Sequence, residues 1–182
     1  GQGDIAYEFL AAPSGATDGG VRQKVAVELS QLDKAARLDF QEGRYAEAEQ
    51  GFLRYLHFRP RSVPCLCNLG ILKIALKNYD EAQHFLQKAV AIDKSSGLAY
   101  YLLGRSLFLQ QDYDKALTHL EQGLDLQPNN AKAHNSVGVI ASQKGWIARA
   151  EKAFLRAVSI EPRFGDAHFN LAVLFSSHGK AN

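Results

Sequence analysis

The sequence predicts an all-α solenoid of about four and a half helix-turn-helix repeats, on three observations. Aligned columns recur every 34 residues: Ala48, Ala82, Ala116 and Ala150 form one, and Tyr45, Tyr79, Tyr113 and Ile147 another. Within a unit the apolar residues recur at helical spacing, as in Tyr100, Leu103, Gly104 and Leu107, then Ala116, Leu120, Gly123 and Leu124. Polar breaks separate the stripes, Gln110-Gln111-Asp112 inside the third unit and Gln127-Pro128-Asn129-Asn130 after it. A fixed period of this length marks stacked units, each burying its apolar face against its neighbours.

The helices are expected over residues 29–42 and 46–58, 63–76 and 80–92, 97–110 and 114–126, 131–144 and 148–160, and 165–178. Residues 21–28 extend the first of them backward. The repeat domain then runs over 21–182, with units at 29–62, 63–96, 97–130 and 131–164 and a half-unit at 165–182. Small residues Ala36, Gly70, Gly104, Gly138 and Ala172 share one column, which lets paired helices approach closely. Asp80, Glu81, Asp112 and Asp114 fall at the turns, where acids cap second helices. Residues 1–20 have no repeat partner and are rich in Gly, Ser and Thr, which suggests a flexible segment. Ile5, Tyr7, Phe9 and Leu10 within it are apolar enough to dock on the first repeat or in a groove.

Composition bounds the function classes. Of 182 residues, 46% are hydrophobic and 22% charged, the mix of a globular chain. Charges interrupt every apolar run, so no membrane span is expected. A formal net charge of +2 is too small to argue for nucleic acid. The absence of Met points to a processed chain or a piece of a longer one, and Lys180-Ala181-Asn182 stands where another helix would begin. Two cysteines exclude a disulfide scaffold and leave the compartment open: cytoplasmic, or exported after signal removal.

The columns resemble the tetratricopeptide repeat. The third unit reads Tyr100-x2-Leu103-Gly104-x2-Leu107, then Ala116-x3-Leu120, then Pro128. The fourth reads His134-x2-Val137-Gly138-x2-Ala141, then Ala150-x3-Phe154, then Pro162. The resemblance covers roughly residues 29–182 and implies a right-handed α-α superhelix. The first unit departs from it, with Ala35-Ala36 for Leu-Gly, and is expected to pack more loosely. The second has Lys94 for the usual Pro.

A search for chemistry turns up no catalytic set, metal site or cofactor motif. His134 and His168 share a column that is aromatic in the family, which makes them packing residues rather than metal ligands. Cys65 and Cys67 stand two apart on a helix and point to different faces, a poor geometry for a disulfide or shared metal. Ser177-x-x-Lys180 matches a nucleophile spacing by chance, at the end of the last helix.

In the family, the first helix of each unit lines the concave surface. By that resemblance the candidate partner-binding residues are Arg37, Asn68, Ile71, Tyr101, Arg105, Phe108, Asn135, Phe169 and Asn170. Aromatics and Arg anchor many interfaces, and Asn amides can pair with a peptide backbone whatever its sequence. The family's carboxylate clamp for chaperone tails maps to Asp33, Arg37, Asn68, Leu98 and Leu102, where Asn68 alone matches, so that ligand is not expected. The leading expectation is a non-enzymatic adaptor holding a peptide or helix of a partner protein in the groove. The alternatives are the recognition arm of a larger enzyme, such as a glycosyltransferase, and a homo-oligomer formed through the groove or the C-terminal end.

Overall fold

The structure, a computed structural model, describes residues 18–178. Nine α-helices and no strand occur among them. In order they are α1 (Asp18–Gln41), α2 (Tyr45–Phe58), α3 (Val63–Ala75), α4 (Tyr79–Ile92), α5 (Gly97–Leu109), α6 (Tyr113–Leu126), α7 (Ala131–Gln143), α8 (Ile147–Ile160) and α9 (Gly165–His178). From α2 onward the bounds fall within about a residue of those the pattern predicts. α1 starts earlier, taking in residues 18–20 that the Gly-rich composition assigns to the tail. Adding residues to an existing helix is cheap compared with nucleating one. The remainder of the tail, with Ile5, Tyr7, Phe9 and Leu10, lies outside the described residues.

The chain divides into two compact units, Gly1–Pro60 and Arg61–Asn182. The first is built on the α1–α2 hairpin, whose core is Leu29, Ala36, Ala48 and Phe52. Looser packing is expected there because Leu-Gly is missing, yet Ala36 is only 1% exposed. The partner helix supplies the missing space: a Cβ on Gly51 would lie 2.7 Å from the Ala36 Cβ. The small residue has moved across the contact.

The second unit stacks three full helix pairs and α9. Three of its first helices begin with side-chain caps: Ser62, Ser96 and Asn130 accept from the backbone N–H of Cys65, Ala99 and Ala133 at 3.4, 3.3 and 3.0 Å. Of the turn acids, Asp112 accepts from the Lys115 N–H at 3.4 Å, while Asp80, Glu81 and Asp114 sit in the first helical turn and favour the dipole. Within each pair the glycine column is the seam. A Cβ on Gly104 would meet the Ala116 carbonyl and the Leu120 nitrogen at 3.0 Å. On Gly138 it would meet the Phe154 ring at 2.5 Å. Across pairs, Gln110 Nε2 donates to Asp80 at 2.8 Å and Lys144 Nζ to Asp114 at 2.6 Å, the same strap one repeat apart.

The turns between paired helices hold a second 34-residue column. Gly43, Lys77, Gln111 and Gly145 all take positive φ, at 79°, 59°, 64° and 72°. A left-handed backbone costs an ordinary residue about 1–2 kcal/mol, part of which glycine's flexibility gives back. Lys77→Gly and Gln111→Gly are each expected to stabilise the protein by about 0.5–1 kcal/mol in urea titrations. No gain in either variant would contradict this reading of the turn.

Lys73 is 6% exposed, in a column that elsewhere in the second unit holds Leu107, Ala141 and Phe175. Its Nζ lies 2.7 Å from Glu81 Oε2, and Asn78 Nδ2 donates to Glu81 Oε1 at 2.5 Å. The bond from Lys73, then that from Asn78, holds the Glu81 carboxyl below the usual glutamate range. A lowered folded value means the stabilisation is complete above the unfolded value, about pH 4.3, and fades as pH falls through the folded one. The stability gap between wild type and Glu81→Gln should therefore be pH-independent near neutrality and shrink in acid. A gap that stays constant down to acid pH would remove Glu81's ionisation as its cause.

Candidate functional site: the inner wall of the second unit

Within the second unit the first helices touch in sequence, α3 with α5, α5 with α7 and α7 with α9, so their free faces form one wall. The wall has an apolar stretch, with Lys132 and Asp166 exposed in the Leu98 column. Leu98, Leu109, Phe169 and Val173 are exposed on it, with Phe169 the most open at 68%. Ile71 and Phe108 are half-buried, and the Phe108 ring leans on Tyr113 with centroids 6.0 Å apart.

At its centre stand Tyr101 and Arg105, one turn apart on α5. Tyr101 is buried, with 7% of its surface exposed, so its ring offers little new area to a ligand. Burial pushes the Tyr101 phenol above its ordinary value, against the pull of the Arg105 charge and of the bond from that guanidinium to its hydroxyl. Arg105 itself is exposed. Tyr101 thus serves as a backrest that orients a guanidinium toward solvent.

The asparagines divide. Asn170 Nδ2 donates to Asn135 Oδ1 at 3.0 Å, bridging α9 and α7. Asn68 is half-buried, and its amide nitrogen is buried without a hydrogen-bond partner. An unmet buried donor costs about 1–3 kcal/mol. Arg37 belongs to the first unit, where it is exposed and pairs with Asp33 at 2.7 Å.

Sequence reasoning meets Leu98 only as a mismatched clamp position and not as an anchor. The signal for Leu98 is its column, which elsewhere holds Pro64, Lys132 and Asp166 and is never buried by packing. The histidines resolve into turn braces. His134 and His168 each place Nε2 2.9 Å from a carbonyl six residues back, of Pro128 and Pro162, where the ring N–H donates. Cys65 and Cys67 are both buried, and burial raises the Cys67 thiol to about 11, which keeps it protonated. No group of three His, Cys, Asp or Glu is arranged for a metal among the described residues. No helix among them is long and apolar enough to cross a membrane.

Two family models, both described as tetratricopeptide repeat, match residues 73–139 and 131–164, together just over half of the chain. The chain belongs to the tetratricopeptide repeat family, and its fold is the all-α superhelix of that family. It is 32% identical over 119 residues to anaphase-promoting complex subunit 3 of Schizosaccharomyces pombe. That match takes in 65% of this chain and 18% of the relative, so the chain spans under a fifth of that protein's length. Among solved structures, MamA superposes with a TM-score of 0.70 at 24% identity, over 79% of this chain and 84% of that one. YrrB, described as a TPR protein with an unusual peptide-binding site, gives 0.65 at 20% identity, over 80% and 75%.

Proposed function

We propose that the protein is a non-enzymatic interaction module whose inner wall holds an apolar segment of a partner protein. Proteins of this family mediate protein–protein contacts, and YrrB has a peptide-binding site on the same fold. The observation that carries the reading is one exposed guanidinium, Arg105, on a wall of exposed Leu98, Leu109, Phe169 and Val173. An apolar patch around an Arg is the composition of a partner surface. Side chains of the bound segment bury against the leucines and Phe169, and Arg105 pairs with a carboxylate or carbonyl that fixes direction. The subunit name of the fission-yeast relative supports a role inside a larger assembly.

The test starts from 12-residue peptides selected on the wild-type chain by display. Each is then titrated by fluorescence anisotropy against Arg105→Ala and Leu98→Glu, both at exposed positions that leave the fold intact. A charge-assisted bond contributes about 1.5–3 kcal/mol, so Arg105→Ala should weaken binding roughly tenfold or more. Wild-type affinity in both variants would eliminate this wall as the binding site.

A further inference from the structure

Within the second unit Arg105 is the one charge in its column, where Ile71, Val139 and Val173 hold the equivalent places. The first unit also has an Arg in that column, and there it comes with its own acid: Arg37 pairs with Asp33, one turn back, at 2.7 Å. One turn back from Arg105 the same column holds Tyr101, which gives the guanidinium a hydroxyl and no charge. A hydroxyl occupies one donor of the guanidinium fork and leaves the rest to water. Among the described residues no acid pairs with Arg105.

That arrangement is harmless in solvent and unfavourable under a ligand. A segment lying on the apolar stretch beside Arg105 covers the guanidinium and strips its water. A covered cation with no counter-charge is strongly destabilising, whereas a carboxylate brought by the segment pairs with it along both edges. A neutral carbonyl makes a bond of only about half that strength. The wall also fixes where in the segment the acid stands. α5 touches α3 on one side and α7 on the other, and α7 touches α9. Apolar side chains flank Arg105 in both directions, Ile71 on α3 and Phe169 with Val173 on α9. A segment burying against both ends passes Arg105 at its middle.

We propose that the segment held by this wall carries an internal Asp or Glu flanked by apolar residues, and that its carboxylate completes Arg105 as Asp33 completes Arg37. The inference rests on the wall being the binding surface. Lys132 and Asp166 in the Leu98 column are of opposite sign, so Arg105 sets the charge the ligand must bring. A segment that met Arg105 with its own C-terminal carboxylate would leave one side of the wall bare.

The experiment pans two display libraries on the wild-type chain. They share apolar flanks and differ in one central residue, Asp in one and Asn in the other. Binders are expected from the Asp library. Each is synthesised with an amidated C-terminus and titrated by fluorescence anisotropy, in its Asp and Asn forms, against wild type, Arg105→Ala and Leu98→Glu. Replacing the central Asp by Asn should weaken binding to wild type about tenfold or more, and change nothing for Arg105→Ala. Freeing the C-terminal carboxylate of the Asn form should not restore the affinity. The internal carboxylate is overturned by an equal loss in wild type and Arg105→Ala, by an Asn library whose binders are as tight, or by rescue from the free C-terminus. In those cases a loss in Leu98→Glu still leaves the wall as the binding surface. Binders indifferent to both Leu98→Glu and Arg105→Ala, or no binder from either library, remove the wall and this proposal together.

Discussion

Phe154→Ala is expected to cost about 3–5 kcal/mol, the range for emptying a buried aromatic site. Phe154 is 2% exposed and packs with Ala141, Ala150 and Leu174, bordered by Val139, Ile147 and Leu171. Four of those residues lie on helices other than its own. The ring also fills the notch left by Gly138, so truncation opens space on a backbone that has no side chain to fall inward. The loss should not stay local. α9 packs only on α7 and α8 among the described residues, and Leu174 and Leu171 are its share of this cluster. Urea titration measures the total, and hydrogen exchange should find the α9 amides losing protection first. Phe154→Leu copies Leu86 and Leu120 of the same column and should recover most of the stability. A loss of less than about 1 kcal/mol in Phe154→Ala would contradict the packing described.

Gly104→Val is expected to cost about 3 kcal/mol, the upper part of the overpacking range. The nearest obstruction is Leu120 Cγ at 2.8 Å, and beside it stand two backbone atoms, the Ala116 carbonyl and the Leu120 nitrogen, each 3.0 Å from any Cβ placed there. Neither can rotate aside, so α5 and α6 must separate. Gly104→Ala meets the same atoms with one carbon, and better helix propensity returns up to about 1 kcal/mol, leaving a smaller net loss. Gly138→Ala meets the Phe154 ring at 2.5 Å, a ring held by the buried cluster around it, and should also cost stability. A variant at either position as stable as wild type in denaturation midpoints would contradict the close packing of the seam.

The fold was legible because a solenoid repeats its own evidence. Each column of alanines, glycines and leucines was seen four or five times, so no single departure hid it. Even the first unit, whose Ala36 looks too large beside Gly104, obeys the same steric rule with Gly51 on the other helix. That exchange was invisible to a reading that compared columns one at a time. The wall was legible only in outline. Helix phase told which residues face away from the seam, and both Arg105 and Phe169 are exposed. It could not tell that Tyr101 is closed off by its neighbours while Leu98 stays open, since both lie on the same helix three residues apart. Nor could it pair Asn170 with Asn135, which belong to different columns and meet because adjacent helices are staggered. The buried Lys73 was hidden for another reason: its partner Glu81 sits across the turn, and a lysine in that column reads as a surface residue.

In the second unit, each helix touches those one or two places along the chain and no others in substance. Ordering such a chain closes only short loops, so little entropy is lost before contacts begin to compensate. Refolding of the second unit should be fast, and without a single obligatory starting point. A break or extension in an exposed turn such as Gln127–Asn129 would leave the pairs on either side able to form alone. Length is thus a free variable for this architecture: units can be added or lost in evolution with no redesign of those that remain.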